Sequence, residues 1–432
     1  MPNLPSASPT GTAADTVATV PAARTEPAAR TDLAALAADA AAQAPDLAAL
    51  RHRLHRVPEI GLHLPVTQAL VLEALDGLDL EITTGTGLSS VVAVLRGDAP
   101  GLAVLLRGDM DALPVTEDSG EEFTSGHPGV MHACGHDLHV AGLVGAARLL
   151  AARRSEIAGS VVLMFQPGEE GDGGAEIMIE EGVLDAAGER VVAAYGVHVT
   201  SALLPAGVLS SRAGTLLAAA DSVHVTLHGR GGHGSQPHLA QDPVPVSAEI
   251  VLALQTAVTR QFDVFDPVVV TVGRITAGTT NNVIPSEARL EATVRSFSPG
   301  ARVRAREAVE RVCAGVAAAH GLGVEVDYRP GYPVTSNDAA EVDRAEALAH
   351  ELFGADGFVR ADVPMSGAED FSYVLEQVGG AYLMLGATPV GVDPRTAPFN
   401  HSAQARFADE ALVTGPAILA ALALDRLADA HG

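Results

Sequence analysis

Short apolar runs that each end on a cluster of polar residues constrain this chain more than any other feature. Val91-Val-Ala-Val-Leu95, Leu102-Ala-Val-Leu-Leu106 and Val161-Val-Leu-Met-Phe165 hold no polar residue. Runs of this length without alternation mark strands buried on both faces. The second leads into Arg107-Gly-Asp109-Met-Asp111-Ala-Leu-Pro114, the third into Gln166-Pro-Gly-Glu169-Glu170, and Ala193-Ala-Tyr-Gly-Val197 leads into His198. Helical spacing lies around them. Leu47, Leu50 and Leu54 precede Pro58; Ala69, Leu72 and Leu75 follow Pro65; a further helix is expected from Leu138 to Ala152. Strands and helices alternate, with polar residues after the strands, which is the arrangement of an α/β sheet.

Near Ala219 the pattern changes. Ser222-Val-His224-Val-Thr-Leu-His228 alternates strictly, so this strand has one wet face. Helices are expected over 243–260 and 301–319, and strands at Val268, Ala288 and Val324. The resulting β-α-β-β-α-β order is the ferredoxin-like pattern. With 432 residues the chain is too long for one compact core. The expected organisation is a first part over 46–218, an inserted domain over 219–331 and a return over 332–432. Ordered structure should begin near Asp46, and residues 1–30, rich in Ala, Pro and Thr, read as a disordered tail.

Charge excludes whole classes of partner. There are 53 acidic against 27 basic residues, every basic one an arginine, for a net charge of -26. Nucleic acid and anionic membrane surfaces both need a basic patch. No apolar run approaches the roughly 20 residues of a membrane span, and the N-terminus lacks the pattern of a signal peptide. The two cysteines give no disulfide framework and fit a reducing, cytoplasmic setting. Cys313, within an amphipathic helical pattern, reads as a small buried hydrophobe.

Cys134 needs another account. Met131-His-Ala-Cys134-Gly-His136-Asp137 sets a thiol and an imidazole two residues apart around a glycine that permits a tight turn. Both are ligands for a divalent transition metal. Glu170, His198 and His401 bring the candidate ligands to five; each lies in a loop or beside an expected strand end. One structural zinc takes four ligands, whereas five with an anionic bridge suit a pair of metals. The blander reading of Cys134 is an inert buried thiol. The Glu169-Glu170 pair offers two roles, one carboxylate on metal and its neighbour taking a proton from water, or else a solvated acidic surface. Asp109 and Asp111 either accept a ligand histidine's N–H or serve turn chemistry. Gly229-Arg-Gly-Gly-His233-Gly-Ser-Gln-Pro-His238 either cradles phosphate, though it lacks the Lys-Ser/Thr ending of a phosphate loop, or offers His233 to stabilise a developing oxyanion. His224 and His228, on the wet face, carry no expected role. An Asn amide at Asn281-Asn282 either holds a substrate carboxylate or makes the turn.

Taken in order, six stretches resemble the superfamily of co-catalytic metal aminoacylases and carboxypeptidases. They are Arg107–Pro114, Met131–Asp137, Gln166–Gly171, Gly229–His238, Asn282-Val-Ile-Pro285 and Ser366-Gly-Ala-Glu-Asp-Phe-Ser-Tyr373. The resemblance is to the amidohydrolase branch, with its hippurate hydrolases, N-acyl-amino-acid deacylases and auxin-conjugate hydrolases, and it runs from about residue 46 to the C-terminus. It implies a mixed-sheet, metallopeptidase-like α/β catalytic domain with an inserted ferredoxin-like lid. Cys134, His136, Glu170, His198 and His401 match the family's ligands to two divalent ions, Zn or Mn. Glu169 matches its general base, and His233 and Asn282 match lid residues that meet the substrate. The implied reaction is hydrolysis of the amide of a small N-acyl amino acid. The alternatives are a dipeptidase or carboxypeptidase, a non-catalytic small-molecule binder, or an acyl lyase run as a synthase. Family members are monomers or lid-mediated homodimers. The chain departs from the family at Ala368, at Gly234 and in Pro398-Phe-Asn400.

Overall fold

The computed structural model describes residues 31–429; the tail expected over 1–30 lies outside the described residues. The larger part is built on a mixed eight-stranded sheet. Across it run Glu81–Thr84, Val91–Arg96, Ala158–Gln166, Ala99–Asp109, Ala194–Pro205, Gly380–Thr388, Leu209–Ser211 and Phe358–Arg360. Ala158–Gln166, Ala99–Asp109, Ala194–Pro205 and Gly380–Thr388 are parallel neighbours. Their carboxyl ends therefore open on one edge, where open α/β sheets carry their sites. The unbroken apolar runs have a direct cause. Val104 and Leu106 face one core, while Ala103 and Leu105 on the same strand face another. Helices Leu33–His55, His136–Ala151, Ala339–Phe353 and Ala411–Ala428 supply the first core; Gly174–Glu180 and Ser372–Val378 supply the second.

Two expectations change here. The first helix opens at Leu33, well before Asp46, with the Asp32 carboxylate accepting from the Ala35 N–H at 3.0 Å. Pro45 sits inside it. Leu33, Leu36 and Ala40 before the proline and Leu47, Leu50 and Leu54 after it are all buried in one core. That burial outweighs the lost backbone hydrogen bond. The second change concerns Ala411–Ala428, which by length and composition could cross a membrane, contrary to the reading that no run approaches a span. It is 78% buried within the fold and packs on His136–Ala151 and Leu33–His55, as the apolar-all-round helix at a core must.

The second sheet orders Val268–Ala277, Glu287–Ser296, Ala219–His228 and Gly323–Pro330, each neighbour antiparallel. Helices Pro243–Gln261 and Pro299–Ala319 join its strands in the ferredoxin-like order. Val223, Val225 and Leu227 pack with Ile250, Leu254, Val309 and Cys313 in a separate core. Cys313 is thus the buried hydrophobe expected, and the alternation leaves His228 exposed on the other face.

Candidate metal centre

The parallel strands deliver the polar side chains to one place. His136 opens its helix after Gly135, whose φ is 86°. A Cβ on Gly135 would meet Val199 Cγ2 at 2.5 Å and Phe407 at 3.0 Å. Glycine is therefore what lets Cys134 and His136 turn towards one point.

The imidazoles are oriented by their far nitrogens. His136 Nδ1–H donates to the Asp111 main-chain oxygen at 2.8 Å, and His198 Nδ1–H donates to the Val199 oxygen at 2.8 Å. Each Nε2 is then free to accept a metal. His198 Nε2 lies 3.4 Å from Cys134 Sγ. His136 Nε2 is buried and has no hydrogen-bond partner among the described residues, as has Glu170 Oε1. His401 Nε2 is 3.3 Å from Cys134 Sγ and 3.3 Å from Glu170 Oε1. His401 holds a left-handed φ of 71°, secured by its N–H on the Ala133 oxygen at 2.8 Å. Of five such donor groups among the described residues, two share the thiol, Cys134 with His136 and His198, and Cys134 with Glu170 and His401, the atoms within each lying inside 4.8 Å. A thiol, three imidazoles and a carboxylate converging here, with His136 Nε2 and Glu170 Oε1 buried and unpartnered among the described residues, form a donor set suited to divalent cations. Burial, and after it His139, holds His198 well below the usual imidazole range, as a neutral ligand requires.

Around these lies a supporting ring that differs from the expectation. The Asp109 and Asp111 carboxylates lie 3.4 and 3.5 Å from His136 Nε2 and Nδ1, close enough for ion pairs, but their hydrogen bonds among the described residues go mainly elsewhere. Asp111 serves His136 through its main chain, and its carboxylate accepts the N–H groups of Glu169 and Glu170, both at 3.0 Å. Asp109 accepts instead from His139 Nδ1, and from Arg107 at 2.6 Å; His139 Nε2 accepts the Val199 N–H at 2.8 Å. The reason is geometric: a strand end next to a helix start places His139, one turn after His136, against Asp109. Asn400 was also missed as a positioning group. Its Nδ2 donates to the Cys134 and Val199 oxygens at 3.1 and 3.0 Å, and its Oδ1 accepts the Ser201 N–H at 2.9 Å. Asp137 is tied to the first helix by Arg51 and His55, each at 2.9 Å.

Glu169 is buried beside Glu369 and Asp370. Burial first, then the carboxylates of Glu369, Glu170 and Asp370, pushes it well above the usual carboxylate range. Arg107 is the cation in this acidic interior. It donates to Glu369 at 2.7 Å, Asp370 at 3.0 Å and the Gln166 side chain at 2.9 Å, while it is 2% exposed. Arg107→Met should therefore cost about 3–5 kcal/mol, because it strands buried carboxylates without a counter-charge. Urea unfolding measures this, and a loss below about 1 kcal/mol would show that Arg107 acts as a surface-type pair.

His233 and Asn282 come together elsewhere. His233 pairs opposite Val283 in a two-residue ladder, and the Gly234 N–H donates to the Asn282 oxygen at 2.9 Å. Both are exposed and border one open groove. Among the described residues, no hydrogen bond or ion pair joins either to the Cys134 cluster.

A mixed α/β sheet gathering thiol, imidazole and carboxylate at the ends of its parallel strands, with a ferredoxin-like unit inserted, defines a hydrolase of metallopeptidase-like fold. Residues 105–425 match the model of peptidase family M20/M25/M40, and the chain belongs to that family. It is 39% identical over 341 residues to thermostable carboxypeptidase 2 of Saccharolobus solfataricus, covering 78% of this chain and 84% of the relative. It is 35% identical over 340 residues to the N-acetyl-L-cysteine deacetylase of Bacillus subtilis, covering 79% and 80%. Among solved structures, a Bacillus subtilis protein described as a dinuclear metal binding peptidase of the M20 family superposes with a TM-score of 0.77 at 32% identity, over 90% of this chain and 99% of that one.

Proposed function

We propose that this enzyme hydrolyses the amide bond of N-acyl amino acids, releasing a carboxylic acid and a free amino acid, with two divalent ions, Zn or Mn, as cofactors. The observation that carries this reading is the sharing of Cys134 between two donor groups, with Glu169 buried next to the ligand Glu170. Cys134, His136 and His198 would hold one ion, and Cys134, Glu170 and His401 the other. Bound there, such ions polarise the amide carbonyl and lower the pKa of the attacking water. Glu169 takes that water's proton and then delivers it to the leaving amine. Arg107, Asp109 and Asp111 hold the loops in register. Residues 33–218 and 332–429 make the catalytic domain, and 219–331 the lid, in a cytoplasmic enzyme.

A carboxypeptidase or dipeptidase is the second reading, favoured by the relative named as a carboxypeptidase. Metal analysis of the purified protein, then parallel assays of N-acyl amino acids and dipeptides in Zn²⁺ and in Mn²⁺, separates the two. Faster turnover of dipeptides throughout would replace our reading by the second.

His233 and Asn282 act from the lid. His233→Ala should lower kcat by about 10²-fold with metal content unchanged, through loss of an oxyanion partner. Asn282→Ala should chiefly raise KM for substrates with a free carboxylate. An equal loss on substrates without that carboxylate sinks the Asn282 assignment.

A further inference from the structure

We propose that Tyr332 is a positioning residue for the Glu169–Gly173 loop, transmitting the orientation of the ferredoxin-like unit to Glu169 and Glu170; this rests on the roles given to those glutamates above. Tyr332 follows the strand Gly323–Pro330, where the chain leaves the second sheet. Its phenol donates to the Glu169 main-chain oxygen at 2.7 Å and accepts the N–H groups of Gly171 and Gly173 at 3.0 and 3.1 Å. One donor and two acceptor sites are all a phenolic oxygen has, and all three are spent on this loop. Burial first, then the carboxylates of Asp370 and Glu169, pushes the phenol above its usual range, so it keeps the proton it donates.

The loop is thus held from two sides. Asp111, on the larger sheet's side, takes the N–H groups of Glu169 and Glu170; Tyr332, on the second unit's side, takes the carbonyl and the two amides that follow. Tyr332 is itself fixed to that unit. The Ala220 N–H donates to its carbonyl at 3.0 Å, which ties the strand entering the unit to the segment leaving it. Asp221 accepts the Gly331 N–H at 3.0 Å, the Tyr328 hydroxyl at 2.8 Å and Arg302 at 2.6 Å, and Arg302 also donates to the Gly331 oxygen at 2.7 Å. A Cβ on Gly331 would strike the Ala220 oxygen at 2.3 Å, so the two segments lie backbone against backbone. Arg302 comes from the helix Pro299–Ala319, so strand, helix and exit segment form one block. When that block turns, the phenol turns with it and pulls on the loop that carries the base.

Tyr332→Phe removes one oxygen and keeps the ring that meets Tyr373 edge-on at 6.1 Å. In the metal-loaded protein, amide exchange at Gly173 should accelerate about tenfold or more as its acceptor is lost, and at Gly171 by less, because that N–H also donates to the Glu169 oxygen at 2.7 Å. On an N-acyl amino acid, kcat should fall by about tenfold with KM and bound metal little changed, as expected when a base is misplaced but binding is kept. Arg302→Gln, which loosens that block without touching the loop, should speed exchange at the same two amides. Tyr373→Phe, which removes a hydroxyl that donates to the Gly331 oxygen at 3.3 Å and has no hydrogen bond to the loop among the described residues, should leave them as in the parent. Parent-like exchange at Gly171 and Gly173 in Tyr332→Phe overturns the proposal, and so does faster exchange with an unchanged kcat. Parent-like exchange in Arg302→Gln overturns the coupling to the unit. Failure of the underlying reading shows separately, as an undiminished rate in Glu169→Gln with Tyr332 intact.

Discussion

Glu169→Gln should leave the protein folded and its metal content unchanged, while kcat for an N-acyl amino acid falls by about 10²–10⁴-fold. The attacking water must lose a proton as it adds to the amide carbon. The departing amine must gain one, since an amide anion is a poor leaving group. One carboxylate beside the metals does both in turn. Glutamine keeps the size and shape of Glu169 but can do neither. Burial and the carboxylates of Glu369, Glu170 and Asp370 favour its protonated form, which delivers the proton to the amine; the first transfer needs its anion, which divalent cations bound beside it would favour. Glu170 differs although it is the next residue. His401 and His136 draw it below the usual carboxylate range against the cost of burial, so it is an anion suited to a cation. Glu170→Gln should therefore weaken metal binding first. Metal content, substrate affinity and single-turnover rate of both variants decide the matter. A parental rate in Glu169→Gln, or metal loss from it rather than from Glu170→Gln, reverses the two roles.

How much of this was legible beforehand follows from the range of each interaction. Strand identity is a local property. Ala103 and Leu105 on one face with Val104 and Leu106 on the other make an unbroken apolar run, and the run could be read directly. The ferredoxin-like unit was legible for the same reason, through the period of two in Ser222–His228. The five candidate ligands could be singled out because a thiol, imidazoles and a carboxylate beside glycines or after apolar runs stand out in the local sequence. The supporting ring was not, because its partners are far apart in sequence. Asn400 reaches the Cys134 oxygen from 266 residues away, and Arg107 reaches Glu369 across 262. No spacing rule links such pairs. His139 is the exception. It follows His136 by three residues on one helix face, and that period could have marked it as a neighbour of the site. The start of the first helix was not legible for a physical reason: the leucines on either side of Pro45 share a core that the local sequence does not display.

Cys134→Ala should fold and yet bind metal at least about 10²-fold more weakly, a loss at or above the upper end of that for a second-sphere partner. Cys134 Sγ is the one atom common to both donor groups, so its removal leaves each with two. The fold should survive because the turn does not depend on the thiol. Gly135 makes the bend, and Asn400 holds Cys134 through its main-chain oxygen. The cavity left is a single sulfur, worth about 1 kcal/mol. The thiol also sets a pH dependence with a definite sign. Burial, opposed by His136, pushes it up to about 12, so at neutral pH the protein alone carries it protonated. Metal binding must displace that proton, and affinity should rise as pH rises towards that value. The alanine variant has no such proton to lose, so its weaker binding should depend on pH less steeply than the parent's. Titration with Zn²⁺ and Mn²⁺ at several pH values measures both slopes. Undiminished affinity in Cys134→Ala removes the thiolate from the centre. Weakened affinity with an unchanged pH slope keeps it near the metals but denies that it binds them as the anion.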